Sequence, residues 1–454
     1  MKTLNAILIL LALALPAAAG DLEITVYNSN IGLIKEIREL ELQRGIHEFE
    51  FPGVPSSLIP ETVHFVSLSD PEGTRVLEQN YRYDLLNRSS LLKRYKGKEV
   101  QALIDGEWRT VRLLAHGIPA GDNTPIGRIL EVDGEIHIEG FILPELPEGL
   151  LLEPSLVWML DTDRPGAHDV ELSYLSHGLN WQADYVAVVD ENNLIDLTGW
   201  VSLNNNSGRS YENARLKLVA GDLNRQRSNE VFLADMVMEA SPRGAKGGGF
   251  EEETFFEYHL YTLQRPTTLL DRERKQVELL QQPGVAAERV YTYRSWATSD
   301  EQEPRSLEVT LEFANSEDKG LGLPLPKGTV RVYMEDESGQ LQFAGEDGIR
   351  HTPEDEDVRL KVGEAFDLQG EHRVKRYDRN RALNYEERDI EIRLRNHKDE
   401  DVTVRVVEQL PGYREWTLRD ASHKYEKTSA SEMVFEVPVE AGGESVVTYT
   451  VRIK

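Results

Sequence analysis

The sequence contains no cysteine in its 454 residues. This absence excludes disulfide bonds, thiol catalysis, thiolate metal sites and a lipid anchor on an N-terminal cysteine. Exported proteins without disulfides are more typical of a bacterial periplasm than of disulfide-stapled extracellular modules. Such a chain must be stabilised by burial of hydrophobic side chains, and it is long enough to form several domains.

Basic residues are also scarce, since 51 Lys and Arg stand against 79 Asp and Glu, which gives a formal net charge of −28. A chain this acidic repels phosphate backbones and anionic lipid surfaces, so neither nucleic acid nor an anionic membrane is an expected partner. Long apolar runs are missing too, because no stretch reaches the roughly 18 residues that a spanning helix needs. We therefore predict no transmembrane segment.

The first 19 residues have the order of a secretory signal peptide. Lys2 supplies the basic start, Ala6–Leu15 the apolar region and Ala17–Ala19 the small residues of a cleavage site. Cleavage there leaves Gly20 or Asp21 as the mature N-terminus. The sequence thus predicts a periplasmic or secreted protein.

The stretch Val170–Asp222 carries the strongest secondary-structure pattern in the chain. Apolar and polar residues alternate along it, which is typical of strands with one buried face. Ala183–Val189 is largely apolar on both faces, which favours a central strand. Turn-forming residues cluster at Ser176–Gly178, Asp190–Asn193 and Asn204–Gly208. These features predict four strands joined by short turns in a meander.

Two tryptophans in this stretch, Trp181 and Trp200, permit two interpretations. The simpler one is that they are aromatic residues of the core or its rim. The alternative is a platform on which sugar rings stack, because an indole ring offers a large flat apolar face.

Strand patterns also occur on both sides of this stretch. Ile31–Leu42 fits a helical stripe as well as a strand, and its flanking strands and Gly32 favour the strand. Leu85–Arg94 is predicted to be a short helix, and Arg225–Gly249, which is rich in Gly and Arg, a mobile loop. Between residues 96 and 142, two Asp-Gly pairs separate short alternating runs, which is typical of hairpins and predicts a small SH3-like barrel.

The C-terminal third contains at least seven predicted strands, which include Gly328–Glu335 and Leu341–Gly345 and suggest an immunoglobulin-like sandwich. We therefore expect a mainly β protein of antiparallel β-sandwich domains with a small inserted SH3-like barrel. The predicted divisions are a signal peptide at 1–19, a β-rich segment at 20–95, a small barrel at 96–142, a central antiparallel domain at 143–305 with its mobile loop at 225–249, and an immunoglobulin-like sandwich at 306–454.

Motifs for catalysis are mostly missing from the sequence. It has no H-E-x-x-H helix for zinc, no G-x-S-x-G elbow and no glycine-rich phosphate loop. Ser90 and Lys93 match the S-x-x-K spacing, but the motifs that accompany it in penicillin-binding enzymes are absent, so a surface helix is the simpler interpretation. Asp161 begins a segment that resembles a calcium loop, but Pro165 and Leu172 stand where ligands belong.

One acidic segment keeps two interpretations open. Glu346–Asp357 concentrates carboxylates and a histidine on a predicted loop between two strands. Oxygen ligands on a turn can hold calcium, but a solvated acidic turn explains the same residues and is favoured. No catalytic residue, metal ligand or cofactor-binding residue is therefore assigned, and no cofactor is expected.

Several segments resemble bacterial envelope proteins that carry domain of unknown function 4139. They are Val26–Asn28, Phe51–Pro55, Asn180–Tyr185, Gly199–Val201, Leu218–Asn224, Phe255–Leu263, Arg265–Thr268 and Leu325–Tyr333. The resemblance implies a β-rich fold and an envelope location, and it implies no mechanism. Some mucoidy-inhibitor-like members of the family carry a long coiled coil, but this sequence has no sustained heptad pattern, so a role that depends on that rod is not expected here.

Two classes of function remain. The first is a non-catalytic envelope protein that acts as a binding or scaffold module for an envelope protein or polysaccharide. The second is a hydrolase of cell-wall polymers that uses carboxylates, which leave no sequence signature when they meet only in space. The absence of an assembled catalytic motif favours the first.

Overall fold

The computed structural model of the protein describes residues 22–83, 93–104, 106–115, 129–132, 135–138, 141–142, 153–221, 250–255, 258–300, 302–336, 338–412 and 414–454. Within these residues the chain is mainly β, as the sequence predicts. The predicted signal peptide, the predicted loop at 225–249 and most of the predicted helix at 85–94 lie outside the described residues; residues 93–95 are helical. No helix in the described residues is long and apolar enough to cross a membrane.

The first fifteen strands in chain order are β1 (Leu22–Tyr27), β2 (Ile31–Leu42), β3 (Gly45–Pro52), β4 (His64–Ser67), β5 (Thr74–Arg82), β6 (Glu99–Ile104), β7 (Glu107–Ala115), β8 (Ile129–Val132), β9 (Glu135–Ile138), β10 (Phe141–Ile142), β11 (Ser155–Thr162), β12 (Gly166–His177), β13 (Leu179–Val189), β14 (Leu194–Asn205) and β15 (Tyr211–Ala220). A short 3₁₀ turn at Pro60–Thr62 precedes β4.

The next fifteen strands are β16 (Phe250–Phe255), β17 (Tyr258–Leu263), β18 (Thr267–Leu269), β19 (Glu273–Ala286), β20 (Glu288–Trp296), β21 (Gln302–Ala314), β22 (Gly328–Glu335), β23 (Leu341–Ile349), β24 (Asp357–Asn380), β25 (Tyr385–Asn396), β26 (Val402–Gln409), β27 (Trp416–Ala421), β28 (Tyr425–Ser429), β29 (Glu432–Val439) and β30 (Glu444–Ile453). A second 3₁₀ turn at Glu317–Lys319 follows β21.

Two sheets share one hydrophobic core and form what we call the central sandwich. One has eight strands in the order β16-β17-β15-β1-β2-β12-β4, with β18 beside β15. The other has five strands in the order β19-β14-β13-β22-β23. Ile24 and Tyr174 enter the shared core from the first sheet, and Trp181 and Tyr185 enter it from the second. A three-stranded sheet, β3-β11-β5, packs on the same core through Trp158.

The four strands predicted within Val170–Asp222 all exist, but the predicted meander is wrong. β12 pairs with β2 and β4 in the eight-stranded sheet, whereas β13 and β14 form a hairpin in the five-stranded sheet. β15 then returns to the eight-stranded sheet, where it runs parallel to β1. The chain changes sheet at Gly178, which has φ of 83° and leaves no room for a side chain, since a Cβ there would lie 2.6 Å from the Asn206 carbonyl oxygen.

Two individual predictions for the central sandwich are confirmed. Ile31–Leu42 forms the single strand β2. Ala183–Val189 lies in β13, which is flanked by β14 on one side and by β22 on the other and is therefore a central strand. Gln276–Leu280 lies in β19 and pairs with β14.

The predicted small β module is also present. β6 to β10 form a separate five-stranded antiparallel sheet in the order β10-β6-β7-β8-β9. The module is inserted between β5 and β11, which are neighbours in the three-stranded sheet. An insertion between paired strands leaves the central sandwich intact, because the two ends of the insert lie close together.

The C-terminal sheet has nine strands in the order β27-β30-β25-β24-β21-β20-β26-β29-β28. It folds back on itself, because the ring of Phe435 in β29 stacks on that of Tyr449 in β30 at 5.7 Å, although the two strands are far apart in the strand order. The result is a second core, which we call the C-terminal sandwich. The prediction that Gly328–Glu335 and Leu341–Gly345 belong to it is wrong, because β22 pairs in parallel with β13 and brings β23 with it into the central sandwich.

The long strands β21 and β24 connect the two sandwiches. Leu311 and Leu360 on these strands belong to the central core, whereas Leu307 and Leu368 on the same strands belong to the C-terminal core. Because the two strands pair along most of their length, the two cores are joined by a continuous ladder rather than by a linker.

Candidate functional site

The residues that the sequence singled out do not assemble into one site. The acidic segment Glu346–Asp357 is not a single loop, because β23 extends to Ile349 and β24 begins at Asp357. Glu346 pairs with Arg331 at 3.3 Å, and the Asp347 carboxylate accepts the backbone N–H groups of Gly348 and Lys361, each at 2.8 Å. Among the described residues no group of three or more histidines or carboxylates is arranged to hold a metal ion.

The other weak candidates have ordinary roles or fall outside the described chain. Asp161 in β11 pairs with Arg75 at 2.7 Å, an exposed ion pair rather than a calcium ligand. Ser90 lies outside the described residues, so its geometry with Lys93 is not defined. These positions therefore give no catalytic arrangement.

The two tryptophans, Trp181 and Trp200, lie in different environments. Trp181 is only 3% exposed, donates its indole N–H to the Val219 carbonyl at 3.2 Å and packs edge-on against Tyr261. It is a core residue, as the simpler interpretation predicts. Trp200 lies on the opposite face of the five-stranded sheet and is partly exposed.

This opposite face, which points away from the eight-stranded sheet, is the candidate site, and we call it the outer face. Along β13 the side chains of Ala183, Tyr185 and Ala187 are buried in the core. Since successive strand residues point to opposite sides, Asp184 and Val186 lie on the outer face. The same alternation places every second residue of β14 and β22 there.

Four apolar residues form a diagonal across the outer face, which we call the aromatic stripe: Trp200, Val186, Tyr333 and Phe343. Trp200 pairs with Asp184, two residues before Val186, and Tyr333 pairs with Val188, two residues after it. Tyr333 in turn pairs with Phe343, and their rings meet edge to face at 5.6 Å. Phe343 is 57% exposed, and the other three side chains are partly exposed.

A network of charges lies beside the stripe and is centred on Asp184. Its carboxylate accepts hydrogen bonds from the Ser202 hydroxyl at 2.6 Å and from Arg331 at 3.3 Å. Burial opposes ionisation of Asp184, but the hydrogen bonds from Ser202, Gln182 and Arg331 outweigh it and lower the pKa. Arg331 also pairs with Glu346, and Arg274 lies 3.7 Å from Asp184. The network holds the long arginine side chains in place next to the aromatic rings.

A second group of titratable residues is buried in the central sandwich around Glu36, which is 4% exposed. Arg209 donates hydrogen bonds to both carboxylate oxygens of Glu36, at 2.7 and 2.9 Å, and Arg38 donates another at 2.8 Å. Tyr174 donates its hydroxyl to the same carboxylate at 3.0 Å. Burial opposes ionisation of Glu36, but the charges of Arg209 and Arg38 outweigh it and lower the pKa to about 2.

A third group lies in the C-terminal sandwich around Glu408, which is fully buried. The hydroxyls of Ser295 and Tyr449 donate to its carboxylate, that of Tyr449 at 2.6 Å. Burial raises the pKa of Glu408 to about 7, against the smaller opposing effects of Ser295, Tyr449 and Arg305.

His372 in the same core is also fully buried, and neither ring nitrogen meets a hydrogen-bond partner in the described residues. Burial lowers the pKa of His372 to about 4, and the charges of Arg388 and Arg305 add to this effect. The backbone of Asp300 partly offsets this lowering of the pKa, although it does not meet the distance and angle limits of a hydrogen bond to the imidazole ring.

The chemistry available to these groups depends on access. Glu36, Glu408 and His372 have side chains closed to solvent, so a polymer cannot reach them in this conformation. The outer face combines partly exposed rings, fixed arginines and amide groups on rigid strands, which is the composition of a binding surface.

Sequence reasoning missed most of this face. Tyr333, Arg331 and Phe343 were seen only as strand residues of a different domain. The alternation of Thr329, Arg331 and Tyr333 with buried neighbours was visible in the sequence, but only the parallel pairing of β22 with β13 brings them beside Trp200.

Comparison with known proteins gives one finding. A family model described as a domain of unknown function, DUF4139, matches residues 170–454. A search of curated proteins found no match to the chain. The matched residues contain the whole aromatic stripe and the Glu408 group, whereas Val26–Asn28 and Phe51–Pro55, which also resemble the family, precede them. The chain therefore belongs to the DUF4139 family.

Proposed function

We propose that this protein is a non-catalytic, exported cell-envelope protein that acts as a binding or scaffold module through its outer face. The observation that carries the proposal is the aromatic stripe, a row of partly exposed rings on a rigid sheet. Partly exposed aromatic side chains on ordered strands bind partners at a low cost in conformational entropy. A face of this kind supports binding.

Export is part of the proposal and is supported by the sequence of residues 1–19. We expect the protein in the periplasm or secreted, with a mature N-terminus at Gly20 or Asp21. N-terminal sequencing of protein recovered from the envelope fraction tests this directly. Cytosolic protein that still begins with Met1 contradicts it.

Binding is tested by sedimentation with isolated peptidoglycan sacculi and with envelope membranes. We expect the exported protein to sediment with one of these fractions and the combined variant W200A/Y333A/F343A to remain in the supernatant. The matched control is W296A/F366A, which removes two exposed aromatic residues outside the outer face (53% and 87% exposed). Equal loss of binding in both variants contradicts a role for the outer face.

The alternative, a cell-wall hydrolase, is separated by the same incubation followed by mass spectrometry of the soluble products. The binding proposal expects no released fragments at any incubation time. Fragments that disappear when a single acidic residue is replaced, in a variant that keeps its circular dichroism spectrum, overturn the proposal in favour of the hydrolase.

A further inference from the structure

We infer that the aromatic stripe binds an uncharged, linear polysaccharide, whose sugar rings lie against Trp200, Tyr333 and Phe343. This inference rests on the proposed binding function and names the class of ligand. One face of a pyranose ring presents C–H groups to the electron-rich face of an aromatic ring, and its hydroxyls point outward to polar neighbours. The stripe and its flanking polar groups supply both kinds of contact.

The shape of the stripe favours a narrow, extended ligand. The rings of Trp200 and Tyr333 lie along a diagonal, and Val188 and Phe343 are level with Tyr333. The charge network of Asp184, Arg331 and Glu346 lies directly beside these residues. A stable protein–protein interface buries on the order of 800 Å² on each partner and has an apolar centre. A short group of partly exposed side chains bordered by charges provides only a small apolar centre, which matches a single polymer chain better than a protein partner.

An extended peptide fits the outer face less well than a polysaccharide. Peptides that bind sheets usually add a strand at an edge, where unpaired backbone groups are available. Trp200, Val186 and Tyr333 lie on β14, β13 and β22, and each of these strands is paired on both sides. Only Phe343 of the stripe lies on an edge strand, β23, so most of the stripe offers side-chain contacts, which suit stacked rings better than a peptide backbone.

The charges beside the stripe favour an uncharged ligand. Arg331 is already shared between Asp184 and Glu346, and Arg274 also faces Asp184. No strong positive field is left to attract a polyanion, and the net charge of −28 repels one. The exposed side chains of Gln182 and Gln276, which are linked to this network, can exchange hydrogen bonds with neutral hydroxyls.

The register sets a minimum length for the ligand. Trp200 is level with Asp184, and Tyr333, two strands away, is level with Val188. With strands about 4.8 Å apart and about 3.3 Å per residue, the two rings are separated by about 16 Å. One sugar ring cannot contact both, so affinity should increase with chain length until both ends of the stripe are occupied.

Affinity electrophoresis of the exported protein tests the inference. Gels contain hydroxyethyl cellulose or glucomannan as uncharged probes, or polygalacturonate as an anionic probe. We expect retardation by an uncharged probe, about tenfold weaker binding for W200A and for F343A, and partial recovery in W200F, because a flat ring is restored. The exposed-residue controls W296A and F366A should bind as the unchanged protein does. Calorimetry with β-1,4-linked oligosaccharides of two to six sugars should show affinity that increases with length.

The possible results separate this inference from the proposed function. Retardation by polygalacturonate alone overturns the uncharged-ligand inference. So does sedimentation with envelope fractions that depends on the stripe but persists without any glycan retardation, and this result leaves the binding function standing. If neither glycans nor envelope fractions bind through the stripe, both proposals fail.

Discussion

The two sandwiches of this protein each bury a glutamate, and they shift its pKa in opposite directions. Glu36 in the central sandwich is held by Arg209 and Arg38, and its pKa falls to about 2. Glu408 in the C-terminal sandwich receives only hydroxyl hydrogen bonds, from Ser295 and Tyr449, and its pKa rises to about 7. Burial opposes the charge at both sites, so the difference comes from the partners.

The comparison shows what a guanidinium supplies that hydroxyls do not. A bidentate arginine replaces the lost hydration with an opposite charge and two directed hydrogen bonds. Two hydroxyls give the carboxylate oxygens of Glu408 hydrogen bonds but bring no opposite charge. The protonated form of Glu408 is therefore favoured at a higher pH than usual. The stability of the central sandwich should therefore depend on the ion pair of Glu36, and the stability of the C-terminal sandwich should depend on pH.

The largest effect is expected when the ion pair of the central sandwich is broken. R209M removes the guanidinium of Arg209 and leaves the buried Glu36 with the hydrogen bonds from Arg38 and Tyr174. Loss of one partner from a buried ion pair costs about 3–5 kcal/mol, and we expect a cost of this size because Arg38 compensates the buried charge of Glu36 only in part. Urea unfolding followed by hydrogen exchange of the β2 and β12 amides measures this cost.

Two controls sharpen this test. In E36L/R209M both charges are absent, and we expect most of the lost stability to return, since apolar replacement of a buried pair is often neutral. R75A removes the ion pair of Arg75 with Asp161, in which the arginine is 71% exposed, and should leave the urea midpoint unchanged. If R209M alone is as stable as the unchanged protein, the charge of Arg209 does not contribute to stability.

The second effect concerns Glu408 at alkaline pH. Because its folded pKa of about 7 lies above the ordinary 4.5, the stability that neutral Glu408 contributes is complete below pH 4.5 and is lost as the pH rises through 7. E408Q stays neutral and can still accept hydrogen bonds from the hydroxyls. We expect it to be more stable than the unchanged protein by about 3 kcal/mol at pH 8 and about equal at pH 4.5.

Urea midpoints of the C-terminal sandwich measured between pH 4.5 and pH 8 provide this comparison. The signal should come from amides of β26 and β30, which carry Glu408 and Tyr449. Parallel pH profiles for E408Q and the unchanged protein contradict the assignment, as does a variant that is less stable at pH 8.

The third and smallest effect concerns the buried histidines. The folded pKa of His372, about 4, lies below the ordinary 6.5, so the stability that its neutral form contributes is complete above pH 6.5 and is lost as the pH falls through 4. H372L cannot be protonated and should be more resistant to acid, by about 2 kcal/mol at pH 5. Thermal unfolding at pH 5 and pH 8 measures the difference.

The central sandwich supplies the matched control for this variant. His168 there is also buried, but it contacts the Ser67 hydroxyl at 2.9 Å and the Arg164 carbonyl at 2.8 Å. H168L leaves these partners unsatisfied and should lose about 1–3 kcal/mol at pH 8, where H372L loses less. Equal losses at pH 8 for both variants would contradict the view that His372 has no hydrogen-bond partner among the described residues.

Strand positions were predictable, because the alternation of side chains is a local property. The strands that flank Ile31–Leu42 predict a strand there, and this segment forms β2. The apolar residues on both faces of Ala183–Val189 predict a central strand, and this segment lies in β13 between β14 and β22. The small inserted module followed from hairpin-forming Asp-Gly pairs. In each case residues close in sequence carried enough information.

Strand partners were not predictable from the same patterns. Alternation shows which residues share a face, but it does not show which strand lies alongside. The meander predicted within Val170–Asp222 is wrong because the chain turns at Gly178 from the eight-stranded sheet into the five-stranded sheet. There β13 pairs with β22, which lies about 145 residues further along the sequence. Such long-range pairing depends on the whole core and leaves no local signal.

The sequence by itself determined that this is a mainly β chain without disulfides, with strands whose buried faces follow from alternation. Tertiary structure alone decided that Trp200, Tyr333 and Phe343 form one stripe, and that one buried glutamate meets arginines while the other meets hydroxyls. The physical reason is the range of the interactions. Alternation acts between neighbouring residues, whereas side chains on different strands meet only after the sheets have paired and packed.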